Sequence, residues 1–330
     1  ATGTSKSADG NYSFYVSEQS DTITCRSALF VHTNRIDAEQ RLIPVYRKGN
    51  ETYTGTYKFV TGDTLLNFHK ADSAIETKLY VSNNLNDFVR MQYKQLMDYS
   101  YLCNEQIASK LIGANAGKQL NGSYHGNHPQ NFYAKLKTNI NDGGMYGWWG
   151  NSTTDMSMSA YLFYALKIFY KSAEIPVDRF YTNLGARLIE HASEHKVSYF
   201  TYWLMKESEL PMNTIEIQST ERVTYKELIL KLRIRQLEGD TIKRREVEKL
   251  LSQTILGNVG LQTTNEFRSN WYDDELMYLI LMHKITKKDF PDIAANIRKG
   301  LIEHGSLSEY APTYVKALFI NEFYQLGAEQ

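Results

Sequence analysis

The sequence predicts a mainly α-helical protein that begins with a small antiparallel β region. Before about residue 85, short segments rich in β-branched and aromatic residues alternate with turn clusters. From residue 86 onwards, apolar residues recur at helical spacing in a long series of segments joined by short turns. We expect these helices to pack in pairs around an axis.

The β region is expected over residues 11–85. Its predicted strands cover residues 23–31, 41–46, 54–60 and 78–81, and turn clusters such as Lys48-Gly49-Asn50 separate them. Residues 1–10 are small and polar, and we expect them to be disordered or to be a trimmed or engineered beginning.

The helical region is expected over residues 86–330. Asn86 or Asp87 can cap its first helix. The clearest helix follows at residues 155–172, where Met158, Tyr161 and Leu162 stand at helical spacing. Further helices are predicted over residues 177–191, 197–207, 225–237, 245–256, 271–285, 293–304 and 313–326.

Composition argues against several classes of protein. Of the 330 residues, 42% are hydrophobic and 22% are charged, which is typical of a folded domain. The 37 basic and 37 acidic residues cancel, so no net field favours nucleic acid or an anionic membrane. No apolar run approaches the roughly 18–20 residues that span a bilayer.

The most informative segment runs from residue 99 to residue 111 and contains Cys103 and Gln106 in a Cys-x-x-Gln pattern. Attack of the Cys103 thiolate on the Gln106 amide carbon, with loss of ammonia, would leave an internal thioester, which is an activated acyl group. Glu105 could orient this turn, or it could simply be a first-turn carboxylate that the helix dipole favours. Asn104 is expected to cap the following helix.

A second informative segment is Asp142-Gly143-Gly144-Met145-Tyr146-Gly147-Trp148-Trp149-Gly150, an aromatic loop interleaved with glycines. A thioester survives only where water is kept away. The residues that we expect around Cys103 and Gln106 are Tyr99, Tyr101, Met145, Tyr146, Trp148 and Trp149. The alternative is that these side chains are ordinary core of the helical region.

The two segments resemble the thioester region of the α2-macroglobulin and complement family, particularly its bacterial members. There, Tyr-Pro-Tyr-Gly-Cys-x-Glu-Gln is followed by a helix, and a Gly-Gly-Phe-Gly-Trp-Trp-Gly segment lies further along. The matching residues are Tyr99, Tyr101, Cys103, Glu105, Gln106, Ser109 and Leu111. Ser100 replaces the usual Pro, and Leu102 replaces a Gly that eases a tight turn.

The resemblance implies a fold and a function. Residues 86–330 would form an α/α toroid that carries the thioester, and residues 11–85 would belong to a macroglobulin- or CUB-like β-sandwich. A protease would cleave a bait region elsewhere in the parent protein, and Gln106 would then acylate a lysine of that protease. The implied partners are target proteases and the other domains of the parent, in the periplasm or at the cell envelope. A trap that acts once is not an enzyme, and no cofactor or metal is implied.

The two cysteines, Cys25 and Cys103, could also form one disulfide in an oxidising compartment. A thioester requires Cys103 to be unpaired, and Cys25 would then be a buried small hydrophobe.

Some complement proteins use a histidine that attacks the thioester first. The candidates by position are His125, His128, His191, His195, His283 and His304, but each fits a surface or packed histidine better. His191 and His195 have the i,i+4 spacing of a metal pair, and we interpret them as a solvated helix end.

Two other functions stay open. Ser100 and Leu102 favour a toroid without a thioester that serves as a structural or interaction module. An α/α-toroid enzyme acting on glycans or isoprenoids would need clustered carboxylates. Asp273-Asp274-Glu275 resembles an aspartate-rich box, but no carboxylate follows one turn later, so we interpret it as the first turn of a helix.

Overall fold

The computed structural model describes residues 22–44, 65, 85–121, 128–150, 152–212, 214–218, 223–254, 271–272, 274–303 and 311–324. The chain divides into two compact units, Ala1–Thr54 and Gly55–Gln330. Several predictions fall outside the described residues: the disordered beginning at 1–10, the strands at 54–60 and 78–81, and the positions of His125 and His304. The β-sandwich and the domain boundary at residue 85 therefore stay predictions.

The first unit contains an antiparallel hairpin. Strand β1 (Thr22–Val31) pairs with strand β2 (Asn34–Pro44), with Ile23 opposite Ile43 and an irregularity in the register after Leu29. The predicted strand at 23–31 is confirmed. The strand predicted at 41–46 begins earlier, at Asn34, because the polar residues that open β2 lack the β-branched signal on which the prediction relied.

Apolar side chains on this hairpin are exposed. Phe30, Ile36 and Leu42 are each more than half exposed. The side chain of Cys25 is outside the described part of the chain, so its burial stays a prediction.

The described residues of the second unit form eleven helices: α1 (Leu85–Asp98), α2 (Asn104–Asn121), α3 (Pro129–Thr138), α4 (Met156–Ala173), α5 (Arg179–Glu194), α6 (Tyr199–Glu207), α7 (Tyr225–Leu237), α8 (Arg244–Leu251), α9 (Glu275–Thr286), α10 (Pro291–Glu303) and α11 (Thr313–Phe323). The predicted mainly helical fold with a small antiparallel sheet is confirmed. Within the described ranges, no helix is both long and apolar enough to cross a membrane.

Side-chain caps explain why several helices begin where they do. Asp155 accepts a hydrogen bond from the backbone of Met158 at the start of α4. Thr224 and Glu227 form a reciprocal capping box on α7, whose bounds match the prediction. The first helix differs, because α1 begins at Leu85 and both predicted caps, Asn86 and Asp87, lie within its first turn.

The acidic cluster before α9 is also a helix start. Asp274 caps α9 and accepts a hydrogen bond from the backbone N–H of Leu276 at 3.0 Å. Glu275 is the first residue of the helix. The interpretation of these two carboxylates as a first turn is confirmed, and α9 starts four residues later than the predicted residue 271.

The helices share one apolar core. Helix α2 packs against α1, α3, α4 and α11, and the contacts continue from α4 to α6, α7 and α9. Helix α9 contacts α11, and α11 in turn contacts α2. The series of helix contacts therefore closes on α2. Helix α2 also contains most of the segment from residue 99 to residue 111.

Candidate functional site

Cys103 and Gln106 lie at the start of α2. Cys103 immediately precedes the helix, and the side-chain oxygen of Gln106 accepts a hydrogen bond from the Cys103 backbone N–H at 2.9 Å. This contact is one half of a capping box, in which a Gln three residues into a helix reaches back to the capping residue. The turn therefore brings the thiol-bearing residue and the amide together, as the sequence predicts.

The surroundings of Cys103 keep its thiol protonated. Cys103 is only 4% exposed and is not disulfide-bonded. Burial raises the pKa of the Cys103 thiol, hydrogen bonding at Gln106 lowers it in part, and the negative charge of Glu105 raises it further. A thiolate at this position is therefore costly, which matters for any reaction that forms or releases one.

Glu105 is buried in the first turn of α2, where the helix dipole favours a carboxylate. Its oxygens accept hydrogen bonds from Ser109 Oγ at 2.7 Å and from Thr313 Oγ1 at 2.8 and 2.7 Å. Burial raises the pKa of Glu105, although these hydrogen bonds and one from the Tyr314 backbone oppose the shift. Glu105 thereby joins α2 to the first residue of α11.

Asn104 fastens the aromatic loop to the start of α2. Its backbone N–H donates to the carbonyl of Trp148 at 2.9 Å, and its side-chain nitrogen donates to the carbonyl of Gly147 at 2.9 Å. Its side-chain oxygen accepts from Asn139 Nδ2 at 2.8 Å. The prediction that Asn104 caps α2 is wrong, because its side chain contacts the loop and α2 begins at Asn104 itself.

The buried end of the loop is held by α3 and α4. The backbone N–H of Tyr146 donates to Ser159 Oγ at 3.0 Å, and the Tyr146 hydroxyl donates to the Leu136 carbonyl at 2.9 Å. Tyr146 is fully buried, and Met145 is 4% exposed. These two side chains belong to the core beneath the loop.

The other predicted neighbours are much more exposed. Tyr99 and Trp148 are 42% and 38% exposed, and Tyr101 and Trp149 are 66% and 58% exposed. The backbone of Trp148 is nevertheless bonded to Asn104, next to Cys103. The structure thus places the six predicted neighbours in two groups, a buried pair under the loop and four partly exposed rings.

Leu102 does not strain the backbone before Cys103. In the described part of the chain, the non-glycine residues with positive φ are His32, Glu174 and Glu209, and Leu102 is not among them. Leu102 therefore does not adopt the left-handed backbone that would require glycine, and its side chain is 38% exposed.

Trp271 was not identified from the sequence as a site residue. Its ring lies edge-on to Trp148, Tyr161 and Tyr314, with centroids 5.7, 5.7 and 5.4 Å away. The only signal in the sequence was that Trp271 precedes an apolar helix, as Trp149 does. Trp271 packs the aromatic loop against α4 and α11.

Lys110 was also missed. Its ammonium group is buried and donates to the carbonyls of Met97 and Tyr99 at 2.8 and 2.5 Å. Burial lowers the pKa of Lys110, and the charge of Asp98 partly opposes this shift. Lys110 fixes the segment that leads into Cys103.

The described histidines make their contacts elsewhere. His283 is buried and its Nδ1 lies 2.9 Å from Glu322 Oε1. The rings of His191 and His195 lie 4.5 Å apart at the end of α5, and His128 is exposed. Over the ranges that the structure describes, no three potential metal ligands come together.

Comparison with known proteins adds fold-level information. No protein-family model matches the chain, and no curated protein matches it. A Salmonella alpha-2-macroglobulin, whose crystal structure was determined after reaction with methylamine, aligns with 73% of this chain at 15% identity and a TM-score of 0.52. An Escherichia coli alpha-2-macroglobulin fragment, spanning domain MG7 to the C-terminus, aligns with 72% of the chain at 17% identity and a TM-score of 0.49.

The chain covers 17% of the Salmonella protein and 42% of the Escherichia coli fragment. At this identity, the likeness to the Salmonella protein shows a shared fold. The predicted resemblance to bacterial macroglobulins is thereby confirmed at the level of the fold.

Proposed function

We propose that Cys103 and Gln106 form an internal thioester and that this chain is the covalent hook of a macroglobulin-like protease inhibitor. The observation that carries the proposal is the turn at the start of α2, which holds the Gln106 amide against the backbone of a buried Cys103. Because the two groups are already ordered, little conformational entropy remains to be lost when the bond forms.

The chemistry needs no external oxidant or cofactor. The Cys103 sulfur attacks the amide carbon of Gln106, the carbon–nitrogen bond breaks, and the amide nitrogen leaves as ammonia with the proton of the thiol. A lysine amine of a protease then attacks the same carbon. The carbon–sulfur bond breaks, an amide bond remains, and the Cys103 thiol is recovered. One acyl group is transferred once, so the protein is not an enzyme in this reaction.

Protection of the thioester would come from two sides. Met145, Tyr146 and the core lie beneath the loop, whereas Tyr99, Tyr101 and Trp149 present more than two fifths of their surface to solvent. A thioester next to such exposed aromatic groups would need a further protein surface to shield it from water. We assign that cover to another domain of the parent protein, which moves away when a protease cleaves a bait region there.

The helical part is proposed to be an α/α toroid. Support comes from the packing path, which runs from α2 through α4, α6, α7, α9 and α11 and back to α2. The toroid would occupy residues 86–330, after a β-sandwich segment. As part of a bacterial macroglobulin-like inhibitor, the protein would act in the periplasm or at the cell envelope.

The alternative is a toroid without a thioester, which the replacements Ser100 and Leu102 favour. Acylation of a reporter amine distinguishes the two functions. The protein is incubated with a fluorescent primary amine and, separately, with a lysine-bearing protease. We expect adducts that survive denaturing electrophoresis and map to Gln106.

The controls are Cys103→Ala, which removes the nucleophile, and Gln106→Met, which keeps the side-chain length without an amide. Both should abolish labelling. Equal labelling of the original protein and the Cys103→Ala variant would refute the proposal. Labelling by the small amine without capture of any protease would retain the thioester but refute the role as a protease hook.

A further inference from the structure

Helix α11 contacts the candidate site at its first turn. Thr313, the first residue of α11, places its hydroxyl within 2.8 and 2.7 Å of the two oxygens of Glu105, from which it is separated by 208 residues. Ser109 donates to Glu105 at 2.7 Å, and the Ser109 oxygen lies 2.9 Å from the Tyr161 hydroxyl. The carboxylate between Cys103 and Gln106 in the sequence is therefore held by α2 and α11 together.

Burial raises the pKa of Glu105, and the hydrogen-bond donors around its carboxyl group oppose that shift by stabilising the ionised form. An ionised carboxylate is costly to bury unless donors surround it. Here the donors are the Ser109 and Thr313 hydroxyls and the backbone N–H of Tyr314. Hydrogen bonds to the charged form stabilise it selectively. Removal of the Thr313 hydroxyl would therefore shift Glu105 towards its protonated form.

The negative charge has a direct consequence for the reaction. When an amine or water attacks the acyl carbon of Gln106, the carbon–sulfur bond breaks and its electron pair goes to the Cys103 sulfur. The attacking group supplies the proton that the sulfur then takes up. A neighbouring carboxylate opposes the negative charge that develops on sulfur during this step.

We propose that Glu105, whose ionised form is stabilised by the Thr313 hydroxyl, is an electrostatic restraint on acyl transfer at Cys103 and Gln106. The inference rests on the proposed thioester and adds a control on its reactivity. Glu105 raises the cost of releasing the Cys103 thiolate, so it prolongs the life of the activated bond. Thr313 is a positioning residue that acts through Glu105, and α11 is thereby coupled to the site.

Other titratable groups lie on the elements packed against this turn. They are Lys110 on α2, Asp98 at the end of α1, Tyr161 on α4, and Tyr314 and Lys316 on α11. Lys110 is bonded to the carbonyls of the segment before Cys103. Burial raises the pKa of Tyr161 well above its usual range, so its hydroxyl adds no negative charge near neutral pH.

The first test measures the basicity of the thiol without a thioester. In a Gln106→Met background, the rate of Cys103 alkylation by iodoacetamide is followed against pH, with and without Glu105→Gln. Glu105→Gln should lower the apparent thiol pKa by on the order of one pH unit, which gives about tenfold more thiolate at a fixed pH. An unchanged or higher thiol pKa would overturn the proposal. The absence of a thioester in the original protein would not affect this result, so the two hypotheses fail separately.

The second test uses a matched pair at position 313, again in the Gln106→Met background so that Cys103 is a free thiol. Thr313→Ser keeps the hydroxyl and should behave as the original protein does. Thr313→Val removes the hydroxyl and should increase the alkylation rate near neutral pH. The alkylation rate of Thr313→Val divided by that of Thr313→Ser should fall towards one as the pH rises through the titration of Glu105. At high pH the Glu105 carboxyl group is ionised in both variants. A ratio that is independent of pH would indicate a merely structural opening and would overturn the role of Thr313.

Discussion

Gly147→Ala tests the link between the aromatic loop and the start of α2. A β-carbon at position 147 would lie 2.1 Å from the carbonyl oxygen of Thr153 and 2.2 Å from Ser152 Oγ. The Thr153 oxygen is backbone and cannot move aside by a change of rotamer. The Gly147 segment must therefore shift, and the Gly147 carbonyl that accepts the hydrogen bond from Asn104 shifts with it.

The expected cost has two parts. Overpacking of this kind costs about 1–3 kcal/mol. Loss of the hydrogen bonds from Asn104 to the carbonyls of Gly147 and Trp148 adds about 1 kcal/mol for each bond. We expect a decrease of roughly 3–5 kcal/mol in the free energy of unfolding, measured by urea denaturation. In a Gln106→Met background, where Cys103 is a free thiol, its alkylation should also be faster in the folded Gly147→Ala variant, because the loop no longer packs against its turn.

Gly143→Ala is the matched control in the same loop. Its β-carbon would meet Asn141 Oδ1 at 3.3 Å and Thr154 Oγ1 at 3.9 Å, so only a small adjustment is needed. This variant should stay within about 0.5 kcal/mol of the original protein. Equal stability of the two alanine variants would refute the close approach of Gly147 to Thr153.

Two further predictions concern buried charge and exposed rings. Burial alone would raise the pKa of Glu207, but the charges of Lys284 and Arg233 lower it to about 2. The ionised Glu207 therefore contributes roughly 3 kcal/mol to the free energy of unfolding above pH 4.5, and this contribution is lost as the pH falls from about 4.5 to 2. In Glu207→Gln, the free energy of unfolding should decrease less steeply over this acidic range. Tyr101→Ala should change the free energy of unfolding by less than about 0.5 kcal/mol, whereas Tyr146→Ala should lower it by about 3–5 kcal/mol. Urea denaturation measures both values. Similar losses of stability in the two variants would contradict the exposure of Tyr101 and the burial of Tyr146.

Local signals in the sequence predicted most of the described helices, but not α3 (Pro129–Thr138). The bounds of α7 agree with the prediction because the capping box of Thr224 and Glu227 marks its beginning. The same reasoning failed at Asn104, whose side chain bonds to the aromatic loop. A polar residue before a helix has several possible partners, and only the fold decides between them.

The candidate site was predictable where it is local. Cys103 and Gln106 belong to one turn, so their proximity follows from their spacing. The hydrogen bond between Thr313 and Glu105 spans 208 residues, and no pattern in one sequence reports it. Trp271 and Trp148 are likewise far apart in the sequence, so their ring contact is not a local signal either. The solvent exposure of the aromatic residues could not be predicted from the sequence either. An aromatic residue in a loop can lie in the core, as Tyr146 does, or outside it, as Trp149 does.

The intact mass of freshly purified protein shows whether the thioester exists. We expect a mass that is short of the sequence mass by one ammonia, while the Cys103→Ala variant has its full mass. Treatment with methylamine should add one methylamine at Gln106 and release a titratable thiol at Cys103. A full sequence mass, with a freely titrating Cys103 and an unmodified glutamine at position 106, would contradict the account. Glutamate found at that position would instead report a thioester that had formed and hydrolysed.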